Sequence, residues 1–193
     1  AISDVDAGLL ARLGILVADR EAEKRSVEDL IDGLNAADGE ALTFTVVLNL
    51  DCNFACVYCY EGGSKGRHYM SRETAGRLVE FASDHIRPST RKMVLDFYGG
   101  EPLLSCDLIE EIAEAMGAVC RQRGVEFYFT LITNGSLLTR RTAERLVHKG
   151  LRSVKITIDG PPEIHDRYRP FRSGAGSFQR ILNNVKQTAD LAD

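Results

Sequence analysis

The feature that most limits how this chain can fold is a pattern that recurs four times from residue 43: a short β-branched, apolar run followed by an amphipathic helical stretch. The runs are 43–50 (TFTVVLNL), 92–98 (KMVLDFY), 126–133 (EFYFTLIT) and 152–158 (RSVKITI). Helical periodicity follows each of them. It groups Ala75, Leu78, Val79, Ala82 and Ile86, then Leu108, Ile109, Ile112, Met116 and Val119, then Ala143, Leu146 and Val147, then Ile181, Leu182, Val185 and Ala189. Ser71, Ser105, Thr139 and Ser177 stand where N-caps belong. Strands alternating with helices specify an α/β fold with a parallel sheet. The near-continuous apolar character of the strands predicts cover on both faces.

A closed eight-fold barrel takes about 250 residues, more than remain after residue 42. The expected architecture is therefore a partial (β/α) barrel made of its first four βα units, residues 43–193. Residues 1–42 form a small N-terminal helical appendage: two short helices around residues 15–17, a run that also suits a strand. A fourth strand with an unpaired parallel edge is expected to be covered by further chain, so the 193 residues read as part of a longer protein.

Composition narrows the function. With 44% hydrophobic and 27% charged residues the chain is an ordinary globular one. A net charge of -4 supplies no basic field for a phosphate backbone, so nucleic acid is not an expected partner. No apolar run reaches the roughly 18 residues of a membrane helix, and the N-terminus lacks an apolar signal core. Three of the five cysteines (52, 56, 59, 106, 120) fall within eight residues, and the count is odd. That usage fits a reducing, cytoplasmic compartment and a metal or redox site.

Ligands of α/β folds bind at the C-terminal ends of the strands. The chemically informative residues fall there, in four polar turns: Asp51 to Glu61 with three thiols, Gly99-Gly100-Glu101-Pro102, Thr133-Asn134-Gly135 and Asp159-Gly160-Pro161. The spacing C-x3-C-x2-C lets Cys52, Cys56 and Cys59 hold three corners of an iron–sulfur cluster. One iron is then left open for chemistry on a bound molecule. A Cys3His zinc site using His68 is an alternative. Thioredoxin-like use of Cys56 and Cys59 is another, but it leaves Cys52 unexplained. Cys106 and Cys120, about 21 Å apart on one helix, are beyond disulfide reach.

The cysteine loop followed by Gly-Gly-Glu-Pro resembles the radical S-adenosylmethionine (SAM) enzymes. The Cys59-Tyr60-Glu61 ending, the Thr-Asn-Gly turn, and Asp159-Gly160-Pro161 followed by His165, Asp166 and Arg169 resemble one branch in particular. That branch comprises the SPASM-type peptide maturases and anaerobic sulfatase-maturating enzymes. The resemblance covers about residues 43–190. It implies that Cys52, Cys56 and Cys59 ligate a [4Fe-4S] cluster whose fourth iron is chelated by SAM. It further implies that Tyr58 sets its main chain against the adenine, that Gly100 and Glu101 receive the SAM ammonium group, that Gly99, Asn134 and Thr157 lie against the cofactor, and that Arg169 pairs with its carboxylate. The implied reaction is reductive cleavage of SAM to a 5′-deoxyadenosyl radical, which abstracts hydrogen from a peptide or protein substrate. Electrons would come from a donor such as a flavodoxin or ferredoxin. Sulfatase maturation is an alternative within this chemistry, and a non-enzymatic iron–sulfur or zinc module is an alternative outside it. The remaining catalytic residues are expected outside this chain. For Glu101, Asn134, Thr157 and Arg169, purely structural roles compete with the cofactor roles, and His165 and Asp166 are as well suited to ordering their loop.

Overall fold

The computed structural model describes residues 4–12, 16–17, 19–38 and 40–191. The chain divides into two compact units, Ala1–Glu40 and Ala41–Asp193. The first holds helices α1 (Asp4–Arg12) and α2 (Arg20–Asp38). Asp19 caps α2 by accepting from the main-chain N–H groups of Glu21 and Ala22 at 3.0 and 3.1 Å. Leu16 and Val17 are exposed and lie in no strand, while Leu13 and Ile15 are outside the described residues.

The second unit is a four-stranded parallel sheet in the order β1 (Ala41–Val47), β2 (Lys92–Tyr98), β3 (Glu126–Thr133), β4 (Leu151–Ile156). Helices α3 (Arg72–Asp84), α4 (Cys106–Arg123) and α5 (Arg140–Val147) alternate with the strands. They are followed by the short α6 (Pro162–Tyr168) and by α7 (Phe178–Thr188). A 3-10 turn, Pro102–Ser105, leads into α4.

One side of the sheet carries the core. Met93, Leu95 and Phe97 of β2 and Phe129 and Leu131 of β3 are fully buried against Ala82, Ile109, Ile112, Met116, Ala143 and Leu146 of the helices. Phe97 and Phe129 meet edge to face at 5.3 Å, and each contributes about 1.5–3 kcal/mol by burial. Among the described residues of this unit, the opposite side is more open than the apolar runs predict. Thr43, Thr45, Lys155 and Thr157 stand exposed there, and Thr130 hydrogen-bonds Asp96 across two strands. The strands alternate after all: the apolar residues at 94, 128 and 132 share that side with the polar ones.

Two of the expected N-caps hold. Ser71 and Thr139 accept from the N–H groups of Thr74 and Thr142. Ser105 and Ser177 make no such bond. Ser105 instead accepts from the Asn49 side chain at 2.8 Å. The first turn of α7 is capped by Asp166, whose Oδ1 accepts from Ser177 N and Phe178 N at 2.7 and 2.8 Å. The first strand ends at Val47 rather than residue 50, because the chain beyond it turns to pair with its own return: Leu50 N donates to His68 O and Met70 N to Leu48 O.

Candidate functional site

The cysteine loop begins where β1 ends, and it is strapped down on two sides. Its return lies antiparallel to its start, with Asn49 bridged to Tyr69. Its first half pairs with the segment between α6 and α7: Ala55 N donates to Pro170 O, Val57 N to Tyr168 O and Arg172 N to Asn53 O. Phe54, fully buried, packs edge to face on Phe171 at 4.9 Å. Cys52 is buried with Phe54 and Ile181, while Cys56 and Cys59 are half-buried, and all five cysteines are free thiols.

The second turn is pressed onto the first. Gly100 N donates to Asn49 O at 3.0 Å and Glu101 N to Asp51 O at 2.8 Å. A Cβ on Gly99 would overlap the Asn49 carbonyl, and one on Gly100 the Asp51 carbonyl; Gly99 also has φ of 142°. The two glycines are thus required by backbone packed on backbone, in addition to any approach of a ligand.

Glu101 is fully buried. Its Oε1 accepts from Leu103 N at 3.0 Å and Thr133 Oγ1 at 2.7 Å, and its Oε2 from Asn134 N at 2.8 Å. Thr133 Oγ1 itself accepts from Gly135 N, so its proton points at the carboxylate. Burial pushes the Glu101 pKa up, and the three donors pull it back. Three donors and no acceptor specify the ionised form. Glu101 therefore welds the second turn to the third, with a buried negative charge behind both.

The third turn reaches back to the thiols. Asn134 Nδ2 donates to Asn53 Oδ1 at 2.8 Å and approaches Cys52 Sγ at 3.8 Å, while its Oδ1 accepts from Ser136 N and Oγ. Asn184 of α7 holds the turn from below by donating to the carbonyls of Gly135 and Ser136. At the fourth turn, Tyr58 OH donates to Asp159 Oδ2 at 2.5 Å and accepts from Arg169 Nη1 at 2.8 Å. Behind them His165 is fully buried. Asp159 N donates to its Nδ1 at 3.3 Å, so Nε2 carries the proton toward Ser177 Oγ, and that hydroxyl donates to Arg169 O. Burial lowers the His165 pKa, in keeping with a neutral ring.

These turns enclose a cavity of about 250 Å3. Cys52, Cys56, Cys59, Tyr58, Gly99, Gly100, Asn134, Thr157 and Arg169 all line it. Of the residues that the resemblance assigns to the cluster or SAM, Glu101 alone is absent from the lining, because its carboxylate is used behind the wall, and His68, the alternative zinc ligand, does not line it either. Lys65, Tyr60 and Tyr98 also line the cavity and were not singled out for it. The phenol oxygens of Tyr60 and Tyr98 are 2.6 Å apart at its mouth.

Two properties of this wall suit a cluster and a charged ligand. Burial raises the pKa of the Cys52 and Cys56 thiols, while the cationic Lys65 favours both thiolates and Arg169 that of Cys56. Arg169 Nε is buried without a partner, a donor on the wall awaiting an acceptor. Among the described residues no three His, Cys, Asp or Glu side chains are arranged to hold a single metal ion. The three thiols line one cavity together.

Comparison with known proteins identifies the family. Residues 46–191 match the model of the Radical SAM superfamily. The chain belongs to that superfamily. It is 31% identical to a serine-type anaerobic sulfatase-maturating enzyme of Bacteroides thetaiotaomicron over 69% of this chain and 33% of the relative. It is 33% identical to an AdoMet-dependent heme synthase of Methanosarcina barkeri over 72% of this chain and 36% of the relative. Among solved structures, native anSMEcpe with bound AdoMet and peptide superposes with a TM-score of 0.66 at 24% identity, over 78% of this chain and 41% of that one. That likeness bears out the α/β fold of parallel strands and alternating helices. The chain spans about a third of the length of the two curated relatives named. A [4Fe-4S] cluster and SAM are the cofactors of the superfamily.

Proposed function

We propose that this chain is the cofactor-holding part of a radical SAM enzyme that modifies a peptide or protein. The observation that carries the reading is a single cavity shared by three free thiols, two glycines packed without side chains and an arginine with an unpaired, buried N–H. Cys52, Cys56 and Cys59 would ligate a [4Fe-4S] cluster, with Lys65 favouring the thiolates of Cys52 and Cys56 and Arg169 that of Cys56. Arg169 would give its free Nε–H to the SAM carboxylate. The main chain at Gly99 and Gly100 would meet the ammonium end, with the Glu101 charge behind it. Asn134 and Thr157 would line the remaining length of the ligand, and Tyr58 would hold Arg169 in place. The chemistry a [4Fe-4S] cluster and SAM supply when bound is one-electron cleavage of the sulfonium bond and hydrogen-atom abstraction from a substrate.

A peptide substrate is supported by the sulfatase-maturating relative, and the heme synthase relative supplies the competing substrate class, a tetrapyrrole. The test is anaerobic reconstitution with iron and sulfide, then metal analysis and EPR of the reduced protein with and without SAM. About four irons per chain and a spectrum that SAM alters are expected. One bound zinc, or a cluster blind to SAM, would sink the reading. Incubating the loaded full-length protein with candidate peptides and with a haem precursor, then measuring 5′-deoxyadenosine, separates the substrate classes.

A further inference from the structure

One side chain beside the thiols has more partners than any role assigned so far explains. Asp51 immediately precedes Cys52 and is 8% exposed. Its Oδ1 accepts from Cys52 N at 3.0 Å and pairs with Arg172 Nη2 at 2.7 Å. Its Oδ2 accepts from Tyr69 OH at 2.6 Å. Its carbonyl accepts from Glu101 N. The three side-chain partners come from three segments: the start of the cysteine loop, its return, and the strap before α7. Both carboxyl oxygens face only donors, one of them the Arg172 guanidinium.

We propose that Asp51 is a positioning residue that clasps the cysteine loop shut. The Asp51–Arg172 pair joins the loop to the strap, and the Asp51–Tyr69 bond joins it to its own return. Together they fix the main chain at Cys52, so that its thiol faces the cavity shared with Cys56 and Cys59. An ordinary surface ion pair contributes little. Here the carboxylate is largely buried and accepts three donors, and its loss leaves Cys52 N and Tyr69 OH without their acceptor. This inference rests on the reading of the three cysteines as cluster ligands.

The test uses Asp51→Asn, Arg172→Gln and Tyr69→Phe in the full chain, under anaerobic conditions. In the metal-free, reduced protein, the alkylation rate of each cysteine is followed by mass spectrometry, with buried Cys120 as the internal standard. Asp51→Asn is expected to speed alkylation of Cys52 about tenfold and leave Cys120 unchanged. In the reconstituted protein the same variant is expected to lose its visible absorbance to a chelator several-fold faster and to broaden the EPR spectrum. The double variant Asp51→Asn/Arg172→Gln is expected to lose its cluster no faster than Asp51→Asn, because both act through one contact. Equal acceleration at Cys52 and Cys120 would mean general loosening of the fold and would overturn the clasp, as would no acceleration at Cys52. If the wild type takes up no iron, the ligand reading fails, and the alkylation rates still decide whether Asp51 closes the loop.

Discussion

At the scale of single residues, two buried ionisable side chains hold the turns of the site together. Glu101 meets three donors, so replacing its carboxylate by an amide sets an NH2 group against at least one of them. Glu101→Gln is expected to cost about 2–3 kcal/mol in urea unfolding. A change under about 0.5 kcal/mol would show that the carboxylate does not join the second and third turns. His165 gives a pH signature. Its pKa is lowered in the folded protein from the ordinary 6.5, so between the two values the unfolded chain binds more protons. Its contribution to stability is therefore complete above pH 6.5 and is lost as pH falls through the folded value. The melting temperature of the wild type should fall more steeply below that pH than that of His165→Asn, which does not titrate. Parallel curves would remove His165 from the account. Two of the three donors to Glu101 lie 32 and 33 residues away and Ser177 lies 12 from His165, and sequence spacing carries no signal for them.

At the scale of elements, the helices show where local rules suffice. Ser71 and Thr139 were legible as caps because the bond each makes spans three residues. Ser177 was misleading because Asp166, eleven residues upstream, occupies the position its hydroxyl would take. Asp166→Ala is accordingly expected to destabilise the protein by about 1–2 kcal/mol, and Ser71→Ala by about 1 kcal/mol, in chemical denaturation. An Asp166→Ala variant as stable as the wild type would return the cap to Ser177. The strand ends moved for a comparable reason. Residues 48–50 are as β-prone as the residues before them, but the loop's return at 66–70 competes for their hydrogen bonds.

At the scale of the whole molecule, the site is a junction of all four strand ends. The cysteine loop is tied to the strap at 168–172, more than 110 residues further along the chain. A group held by this junction binds only the folded state, so loading with iron and sulfide should raise the melting temperature relative to the metal-free protein. Hydrogen-exchange protection should increase at residues 50–70, 99–101, 133–136 and 157–173 together. Protection confined to the cysteine loop would mean that the other turns do not share the site. Among the described residues, no helix is long and apolar enough to cross a membrane.

The amino-acid sequence by itself determined the alternation of four strands with helices, because hydrophobic period is local, and it put the chemically active residues at the strand ends. The cysteine spacing and the Gly-Gly-Glu-Pro turn were enough to point to the superfamily. Only the tertiary structure decided which of those residues face the cavity and which stand behind its wall. Gly99 and Gly100 yield to carbonyls of another turn, Glu101 is turned inward by donors from the third, and Asp51 gathers partners from both flanks of the loop. Such pairings depend on how distant segments approach one another in space, which neither the period nor the spacing of residues along a chain encodes.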